Sequence, residues 1–434
     1  MRDILVGLLI FGSIPFCIFR PDIGMLVYAW IGLMNPHRLS WQLENAPVGL
    51  AVALATLLGT VIRGEIRNIP MRLTTALLLI WVGYTTVTTM NAVSREAWVE
   101  WNRFSRIILM CFVGLMLLQD RKRLERFLWV CMASVGFYGV KGGLFSIATR
   151  GQYRVWGPRG SFIEGNNELA LAELMILPLM LYFMRQATKT WQKWVYFGSL
   201  VLTTLSILFS YSRGALVAFA GLAFVLIARS RYRVQAFIMV VVLGGLLFAF
   251  VPMEWKERMF SIRDYQEDQS AQGRINAWHF AFNLARDRLF GGGFRTFTPD
   301  LFAVYAPNPS DIHDAHSIYF EVMAEQGFPG LVIFLAILFG SLWRMERLRK
   351  WFRKDPERRW IRDLAEMLQY CLVAYMLGGA FLGLAYFDLF YYLVISAILL
   401  EFLAQREAAA ARVRAKAAVQ LAAAPPGAEP ALGT

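Results

Sequence analysis

The sequence predicts an all-α, polytopic membrane protein of about twelve transmembrane helices, and its composition is the first indication. Of its 434 residues, 57% are hydrophobic, 15% are aromatic and only 17% are charged, whereas about a quarter of the residues in soluble domains are charged. The mean hydropathy is +0.46. Apolar runs recur along the chain, several close to the roughly 20 residues that a helix needs to cross the hydrocarbon. They lie near residues 4–19, 22–35, 46–62, 73–90, 105–119, 127–147, 167–185, 194–211, 214–228, 234–252, 328–345, 365–386 and 388–404.

The first two runs are short and are joined by Arg20-Pro21-Asp22. No A-x-A-like cleavage site follows the first run, so we expect it to stay in the protein. Thirteen full spans would place the N-terminus outside. We prefer about twelve, with residues 1–35 as a hairpin that does not make two full crossings and with the N-terminus inside.

The basic residues collect in alternate connections between the apolar runs. A net charge of +13 could indicate a nucleic-acid partner, but the positive-inside rule explains this distribution without one. The four basic connections are residues 120–126, 185–193, 229–233 and 344–363. We therefore place them in the cytoplasm and predict no nucleic-acid partner.

This topology places one long segment, residues 253–327, on the opposite face of the membrane. It divides the chain into N-terminal transmembrane helices (1–252), the outward loop (253–327), C-terminal transmembrane helices (328–404) and a cytoplasmic tail (405–434) that is Ala-rich and predicted to be disordered at its end. The outward loop is the only soluble segment large enough to build a site.

Two short helices are predicted within and at the end of the outward loop. The first is amphipathic and could lie on the membrane surface, with an apolar face of Ile275, Trp278, Phe282, Ala285 and Leu289. The second begins near Asp314 or Ala315 and is broken by Gly-Phe-Pro-Gly at 327–330. We expect its face to carry His316, Tyr319, Phe320 and Met323.

Two of the four histidines, His313 and His316, lie at the start of this second helix. With Asp311 and Asp314 they could form a metal site, but a helix beginning at Asp314 leaves His313 in a loop or at the cap, so we predict no metal ion. His316 lies where the helix dipole disfavours the imidazolium, which suits a neutral general base. A purely structural role for His316 is the alternative.

Two arginines on the same side could meet an anion. Arg213, in Ser-Tyr-Ser-Arg-Gly, stands between two apolar runs, where a buried guanidinium is costly unless it has an anionic partner. Arg274 opens the amphipathic helix beside Gly273. Both side chains offer the forked donors that suit phosphate oxygens, although a solvated or snorkelling role remains the alternative for Arg274.

Further polar residues on this face are candidates for substrate binding. Arg154, Arg159 and Asn167 precede the run at 167–185, where they could form a polar cap or donate to a sugar or phosphate. Asp388 separates the last two runs and could balance an arginine or remain a solvated loop acid. His313 completes this group of lower-ranked candidates.

The histidine segment also forms a pattern. His316-Ser317, nine further residues, and then Gly327-Phe328-Pro329-Gly330 resemble the signature of the bacterial O-antigen ligases, a family that includes the O-antigen polymerases and O-linked glycosylation ligases. The large loop before the last spans, the Ser-Arg-Gly turn and the Gly-Gly-Gly-Phe stretch at 291–294 agree with that family. The N-terminal third looks more like the exosortase-associated subgroup of O-glycosylation ligases.

The resemblance implies a function for each of the leading candidates. His316 would be the catalytic base, and Arg213 and Arg274 would hold the pyrophosphate of an undecaprenyl-pyrophosphate-linked glycan. An acceptor sugar hydroxyl of lipid A-core would attack the anomeric carbon, in an inverting, metal-independent reaction that needs no cofactor. The enzyme would lie in the bacterial inner membrane, with its active site on the periplasmic face.

Two groups of alternatives remain open. Within the enzyme class, the protein could be an O-antigen polymerase or a ligase whose acceptor is a protein. From another class, a transporter or flippase for lipid-linked oligosaccharides would also place arginines on the outer face. Such a transporter more often shows internal repeats and broken helices at mid-membrane, and no clear repeat is evident in this sequence.

Overall fold

The computed structural model describes residues 2–44, 46–260 and 269–423, and within them it contains α-helices, one 3₁₀-helix and no strand. The all-α prediction is therefore confirmed for this part of the chain. The helices are α1 (Arg2–Phe19), α2 (Pro21–Met34), α3 (Val48–Ile62), α4 (Leu73–Met90), α5 (Ala97–Leu117), α6 (Arg121–Ala148), α7 (Asn166–Gln186), α8 (Thr190–Leu208), α9 (Arg213–Arg229), α10 (Arg233–Phe250), α11 (Met253–Phe260), α12 (Gln269–Asp287), α13 (Pro299–Tyr305), α14 (Ile318–Trp351), α15 (Arg359–Gly378) and α16 (Asp388–Ala423). The 3₁₀-helix covers Pro36–Leu39.

Several of these helices are long and apolar enough to cross a membrane, so the chain is a multi-pass membrane protein. Within the described residues, five helices meet that description by length and composition, namely Leu73–Met90, Arg121–Ala148, Asn166–Gln186, Ile318–Trp351 and the first part of α16. Four shorter apolar stretches lie in α1, α2, α3 and α10. The total of about twelve crossings stays a prediction.

The helices run between two ends of one bundle. At the basic end, Arg123 at the start of α6 pairs with Glu65 beyond α3 (2.7 Å) and with Asp22 at the start of α2 (3.6 Å). At the opposite end, called the loop end here, the amide of Val93 donates to the carbonyl of Gly292 (2.9 Å). The connections 91–96, 149–165, 209–212, 288–317 and 379–387 meet at the loop end.

The initial hairpin extends from one end of the bundle to the other. The amide of Trp41 donates to Asp3 at the start of α1 (3.3 Å), and the turn between α1 and α2 lies at the basic end, where Arg20 pairs with Asp22 (3.1 Å). The 14 residues of α2 cover about 21 Å at 1.5 Å per residue, less than the roughly 30 Å of hydrocarbon. The number of full crossings in this hairpin stays a prediction. The start of α1 lies at the loop end, opposite the basic end, and this placement disagrees with the predicted N-terminus on the cytoplasmic side.

Glycines allow the loop to lie directly against α14. Gly327 has non-helical angles (φ 67°, ψ −175°), so α14 consists of two helical pieces joined at a kink. The kink leaves carbonyl groups without helical partners, and the amides of Gly292 and Gly293 donate to the carbonyls of Ala324 (2.9 Å) and Glu325 (2.8 Å). The predicted break at the Gly-Phe-Pro-Gly motif is therefore present, although the chain resumes a helix at once.

The predicted start of the second loop helix is wrong. The second helix begins at Ile318, so His316 precedes it and does not lie on its face; the amide of Ile318 donates to the carbonyl of Gly379 (2.8 Å) instead. The first helix, α12, leaves Phe282 and Leu289 of its predicted apolar face exposed, and its position on the membrane surface stays a prediction. It packs on α14 and α13 through a small apolar core formed by Ala277, Phe280, Ala281, Leu284, Leu301, Phe302 and Ala324.

The predicted tail begins inside a helix. No break occurs at residue 404, because α16 continues to Ala423. The predicted disordered end falls on residues 424–434, which lie outside the described residues. The buried part of α16 forms the centre of the bundle, where the hydroxyl of Tyr391 accepts from the Trp81 indole (3.1 Å) and donates to the carbonyl of Ala385 (3.0 Å).

Candidate active site

His316 lies at the loop end in a conformation that non-glycine residues rarely adopt. Its φ is 42°, in the left-handed region that costs about 1–3 kcal/mol and is retained where the surroundings impose it. The indole of Trp278 holds the preceding residue by donating to the carbonyl of Ala315 (2.8 Å). On the other side, Ser317 is fully buried and caps α14 without a side-chain bond. The imidazole is therefore presented from a strained, fixed turn.

Arg274 is next to this turn because the first turns of α12 lie along residues 308–316. The Asn276 amide donates to the carbonyls of Asn308 (2.8 Å) and Asp311 (2.9 Å). One helical turn earlier, Gly273 contacts His313 so closely that a Cβ there would lie 2.8 Å from the ring Nδ1. Arg274 follows Gly273 directly, and its charge acts on His316. Arg274 therefore belongs to the part of α12 that lies beside the His316 turn.

Arg213 is the first residue of α9 and is positioned by a rigid turn. Ser212 caps the helix, its hydroxyl accepting from the amide of Ala215 (3.2 Å). Tyr211 has a φ of 60°, and its carbonyl accepts from Arg258 (3.0 Å). Asn166, at the start of α7, donates to the carbonyl of Ser210 (2.6 Å). A local cap and two other parts of the chain therefore hold the turn before Arg213 at the loop end.

The connection between α15 and α16, residues 379–387, joins the Arg213 and His316 positions. A Cβ on Gly214, the neighbour of Arg213, would lie 2.7 Å from Cβ of Phe381. A Cβ on Gly383 would lie 3.9 Å from Cα of His316. This connection is called the bridging loop here. It places α9 and the His316 turn on the two sides of one short segment.

Three of the lower-ranked candidates for substrate binding, His313, Arg154 and Asn167, differ in exposure and in their contacts. His313 forms an ion pair with Asp311 (Nδ1 to Oδ1, 2.8 Å), and its side chain is 42% exposed. Arg154 is exposed, with its guanidinium 6.0 Å from the ring of Tyr211. Asn167 is half-buried in the first turn of α7, where its neighbour Asn166 makes the bond to Ser210.

Asp388 lines a second polar cavity at the loop end, and Arg159 lies beside that cavity without lining it. The carbonyl of Arg159 accepts from Arg38 (3.5 Å), which lines that cavity together with Asp388. Asp388 is only 5% exposed. It is therefore a buried carboxyl group at the start of α16, and the alternative of a solvated loop acid is wrong.

Two carboxyl groups near His316, those of Glu321 and Glu168, were not singled out from the sequence. Glu321, one turn into α14, accepts from the amide of Ala385 in the bridging loop (3.2 Å). Asp314 and the charge of Arg274 act on both His316 and Glu168. The sequence shows that Glu321 follows His316 by five residues. That spacing alone does not tell which neighbour the carboxylate faces, because its partner, the bridging loop, is distant in the sequence.

Burial and the nearby charges favour a neutral imidazole. Burial, followed by the positive charge of Arg274, lowers the pKa of His316 below its usual 6.5, and Asp314 opposes this effect. The sequence predicted the same direction from the helix dipole, whereas burial and Arg274 are its main causes in the structure. A neutral imidazole can accept a proton from a hydroxyl group, while the adjacent guanidinium attracts an anion.

Metal binding would need a closer grouping of ligands than this part of the fold offers. Among residues 2–44, 46–260 and 269–423, no three His, Cys, Asp or Glu side chains are grouped so that they could hold a metal ion. His313 and Asp311 form only a pair.

Comparison with known protein families distinguishes two parts of the chain. Residues 198–335 match the family described as O-Antigen ligase. The chain carries a domain of the O-antigen ligase family. Residues 1–188 match a different family, described only as a family of unknown function (DUF5935). A separate comparison with individual curated proteins found no match.

The O-antigen ligase domain includes the residues that the fold brings together. Arg213, Arg274, His313 and His316 all fall within residues 198–335, as does the kink at Gly327. The domain is that of an O-antigen ligase/polymerase-type membrane glycosyltransferase, a family that uses lipid-linked glycans and lipid acceptors in general. The resemblance stated from the sequence is therefore confirmed at the family level, and the exosortase-associated subgroup stays a prediction.

Proposed function

We propose that this protein is an O-antigen ligase that transfers a glycan from undecaprenyl pyrophosphate to a sugar hydroxyl of lipid A-core. The observation that carries the proposal is the position of His316, in a strained turn between Arg274 and the bridging loop. His316 would accept the proton of the acceptor hydroxyl as that oxygen attacks the anomeric carbon. The bond from that carbon to the pyrophosphate oxygen breaks, and undecaprenyl pyrophosphate leaves.

The two arginines supply what the leaving group needs. Negative charge develops on the pyrophosphate as the glycosidic bond breaks, and fixed guanidinium groups stabilise it without reorganisation. Arg274 acts beside His316, and Arg213 acts from the start of α9 across the bridging loop. A single displacement at carbon inverts the anomeric configuration, and this donor set works without a metal ion or another cofactor.

The same proposal fixes the orientation in the membrane. The basic end carries the predicted cytoplasmic connections, so the loop end faces the periplasm of a bacterial inner membrane by the positive-inside rule. The donor lipid would then lie between the helices, with its pyrophosphate at the outer boundary.

Transfer with purified components tests the proposal directly. The full chain, a defined undecaprenyl-pyrophosphate-linked glycan and lipid A-core are combined in the presence of EDTA, and the product is analysed for lipid A-core that carries the glycan. We expect transfer with an inverted anomeric configuration. Transfer that requires an added divalent metal ion would contradict the metal-independent mechanism, and retention of configuration would contradict the single displacement.

The products also separate this function from its alternatives. A ladder of longer polyprenyl-linked chains would identify a polymerase, and a labelled glycoprotein would identify a protein ligase. If neither transfer nor polymerisation occurs, movement of a fluorescent lipid-linked glycan across proteoliposome membranes would support a flippase and overturn the proposed enzyme.

A further inference from the structure

A polar cavity of about 390 Å³ lies at the loop end, outside the site around His316. Its walls come from α2, the segment 35–50, α5 and the start of α16. Apart from Asp388, the residues that line it belong to the region that matches a family of unknown function. A volume in this range is typical of small-molecule sites and exceeds what an inorganic anion needs.

Positive charge dominates the cavity. Three arginines line it, namely Arg38, Arg103 and Arg106, and face two carboxylates, Glu100 and Asp388. Glu100 is already paired with Arg295 (2.5 Å), which leaves Asp388 as the carboxylate for three guanidinium groups. The balance favours an additional anion, and forked guanidinium donors match the oxygens of a phosphate group.

Asp388 indicates that the ligand also has hydrogen-bond donors. Its side chain is 5% exposed, and within the described residues its Oδ1 has no hydrogen-bond partner. The other oxygen lies over α2, since a Cβ on Gly32 would be 2.6 Å from it. A carboxylate accepts and does not donate hydrogen bonds, so a ligand that satisfies Asp388 brings hydroxyl or amino groups. A bare phosphate dianion would be repelled by it.

An aromatic ring and a neutral histidine complete the cavity. Arg103 lies over the ring of Phe162, with 3.4 Å between its guanidinium carbon and the ring centroid, which fixes the arginine at the cavity wall. His37 also lines the cavity, and burial lowers its pKa to about 4. The imidazole is therefore neutral at physiological pH, and it adds a polar group without adding charge.

We infer that this cavity binds a phosphorylated sugar, with Arg38, Arg103 and Arg106 on the phosphate and Asp388 on sugar hydroxyl groups. The cavity is connected to the His316 turn through the bridging loop. Gly383, which lies beside His316, and Asp388 are five residues apart, so their Cα atoms are at most about 18 Å from each other. The further assignment of this cavity to the acceptor of the transfer reaction rests on the proposed function. The binding of a phosphorylated sugar does not.

Direct binding to the purified full chain tests the inference. Glucose 6-phosphate, inorganic phosphate and glucose are titrated separately in a calorimeter, with the chain in detergent. We expect glucose 6-phosphate to bind, inorganic phosphate to bind about 10-fold more weakly, because it lacks the sugar hydroxyl groups that donate to Asp388, and glucose not to bind detectably. Equal affinity for glucose 6-phosphate and inorganic phosphate, or no binding of either, would overturn the inference.

Variants identify the cavity as the binding site. Arg106→Gln and Arg38→Gln should each weaken glucose 6-phosphate binding by about 10-fold or more. Asp388→Asn should reduce the preference for glucose 6-phosphate over inorganic phosphate. Arg95→Gln is the matched control, because Arg95 is an exposed arginine at the same end and does not line the cavity. An equal loss in the control would contradict the assignment, and thermal unfolding of each variant excludes misfolding.

Two further measurements distinguish a sugar ligand from a lipid headgroup, and distinguish this inference from the proposed function. Phosphatidylglycerol nanodiscs that displace glucose 6-phosphate completely would identify a lipid headgroup as the ligand and overturn the sugar assignment. The His316→Ala variant should bind glucose 6-phosphate as the wild type does, although its transfer activity is lost. Transfer without cavity binding would refute this inference alone, and cavity binding without transfer would refute the proposed function alone.

Discussion

The backbones of Gly291 and Gly327 are in direct contact where the loop crosses the kink of α14. A Cβ on Gly291 would lie 2.6 Å from the amide nitrogen of Gly327, and a Cβ on Gly327 would lie 2.9 Å from that of Gly291. Both residues have positive φ, 70° and 67°. The two glycine motifs of the sequence thus form one junction, which fixes the end of α12 against the helix that follows His316.

Replacing either glycine should therefore disrupt the junction. Gly291→Ala and Gly327→Ala each force a side chain into a left-handed conformation, at about 1–2 kcal/mol, and into contact with backbone atoms. We expect a lower midpoint of thermal unfolding in detergent and loss of transfer activity. Gly198→Ala is the control, because Gly198 lies in α8 with nothing within 4 Å of a Cβ; an equal decrease there would contradict the explanation.

Removal of His316 should abolish catalysis and leave donor binding intact. His316→Ala removes the proposed general base, whose contribution is typically about 10²–10⁴-fold in rate. Turnover is measured with a saturating donor, and donor affinity is measured separately by binding. His313→Ala should cost much less, because His313 is exposed and paired with Asp311. If His313→Ala costs as much and activity depends on Zn²⁺, the metal-free mechanism is wrong.

The arginines should affect the donor more than the acceptor. Arg213→Gln and Arg274→Gln each remove a charged donor to the pyrophosphate, which corresponds to about 10–100-fold in kcat/KM for the donor. Arg154→Gln serves as a comparison, since Arg154 is exposed near the same turn. A larger effect of Arg154→Gln than of Arg213→Gln would move the pyrophosphate site towards residues 149–165.

Activity should decrease on the acidic side of neutrality through His316. Its pKa lies below 6.5 because of burial and Arg274, so the imidazole is neutral and active at pH 7 and becomes protonated as the pH falls through that pKa. Asp314 raises this pKa and Arg274 lowers it. In profiles of kcat/KM against pH, Asp314→Asn should therefore move the acidic limb to lower pH, and Arg274→Gln should move it to higher pH. If the acidic limb moved in the same direction in both variants, this account would be contradicted.

Trp278 should act as a positioning residue for the His316 turn. The variant Trp278→Phe can keep the stacking on Phe320, whose ring centroid is 4.9 Å away, but it loses the bond to the carbonyl of Ala315. We expect turnover to decrease by about 10-fold, with little change in the KM for the donor. A 10-fold decrease corresponds to the free energy of one hydrogen bond near the upper end of its usual range. Trp98→Phe, at an exposed tryptophan of α5, should have no such effect.

Local sequence patterns predicted the helical fold because they depend on few distant contacts. The apolar runs predicted all-α architecture, and the Gly-Phe-Pro-Gly motif predicted a break in a helix. The start of α14 was displaced from Asp314 to Ile318 because the amide of Ile318 bonds to Gly379, 61 positions further along the chain. The buried face of α12 was also missed, since α13 and α14 decide which of its apolar residues are covered.

The sequence by itself determined the class of protein and the residues with the required chemistry, because hydropathy, arginine and histidine carry those properties wherever they lie. Only the tertiary structure decided which of these residues lie close together. It placed the start of α12, with Arg274, beside the His316 turn and Arg213 across the bridging loop, and it buried Asp388 at the wall of a cavity that Arg38, Arg103 and Arg106 also line. The physical reason is that these meetings depend on contacts between helices far apart in the chain, which no local spacing encodes.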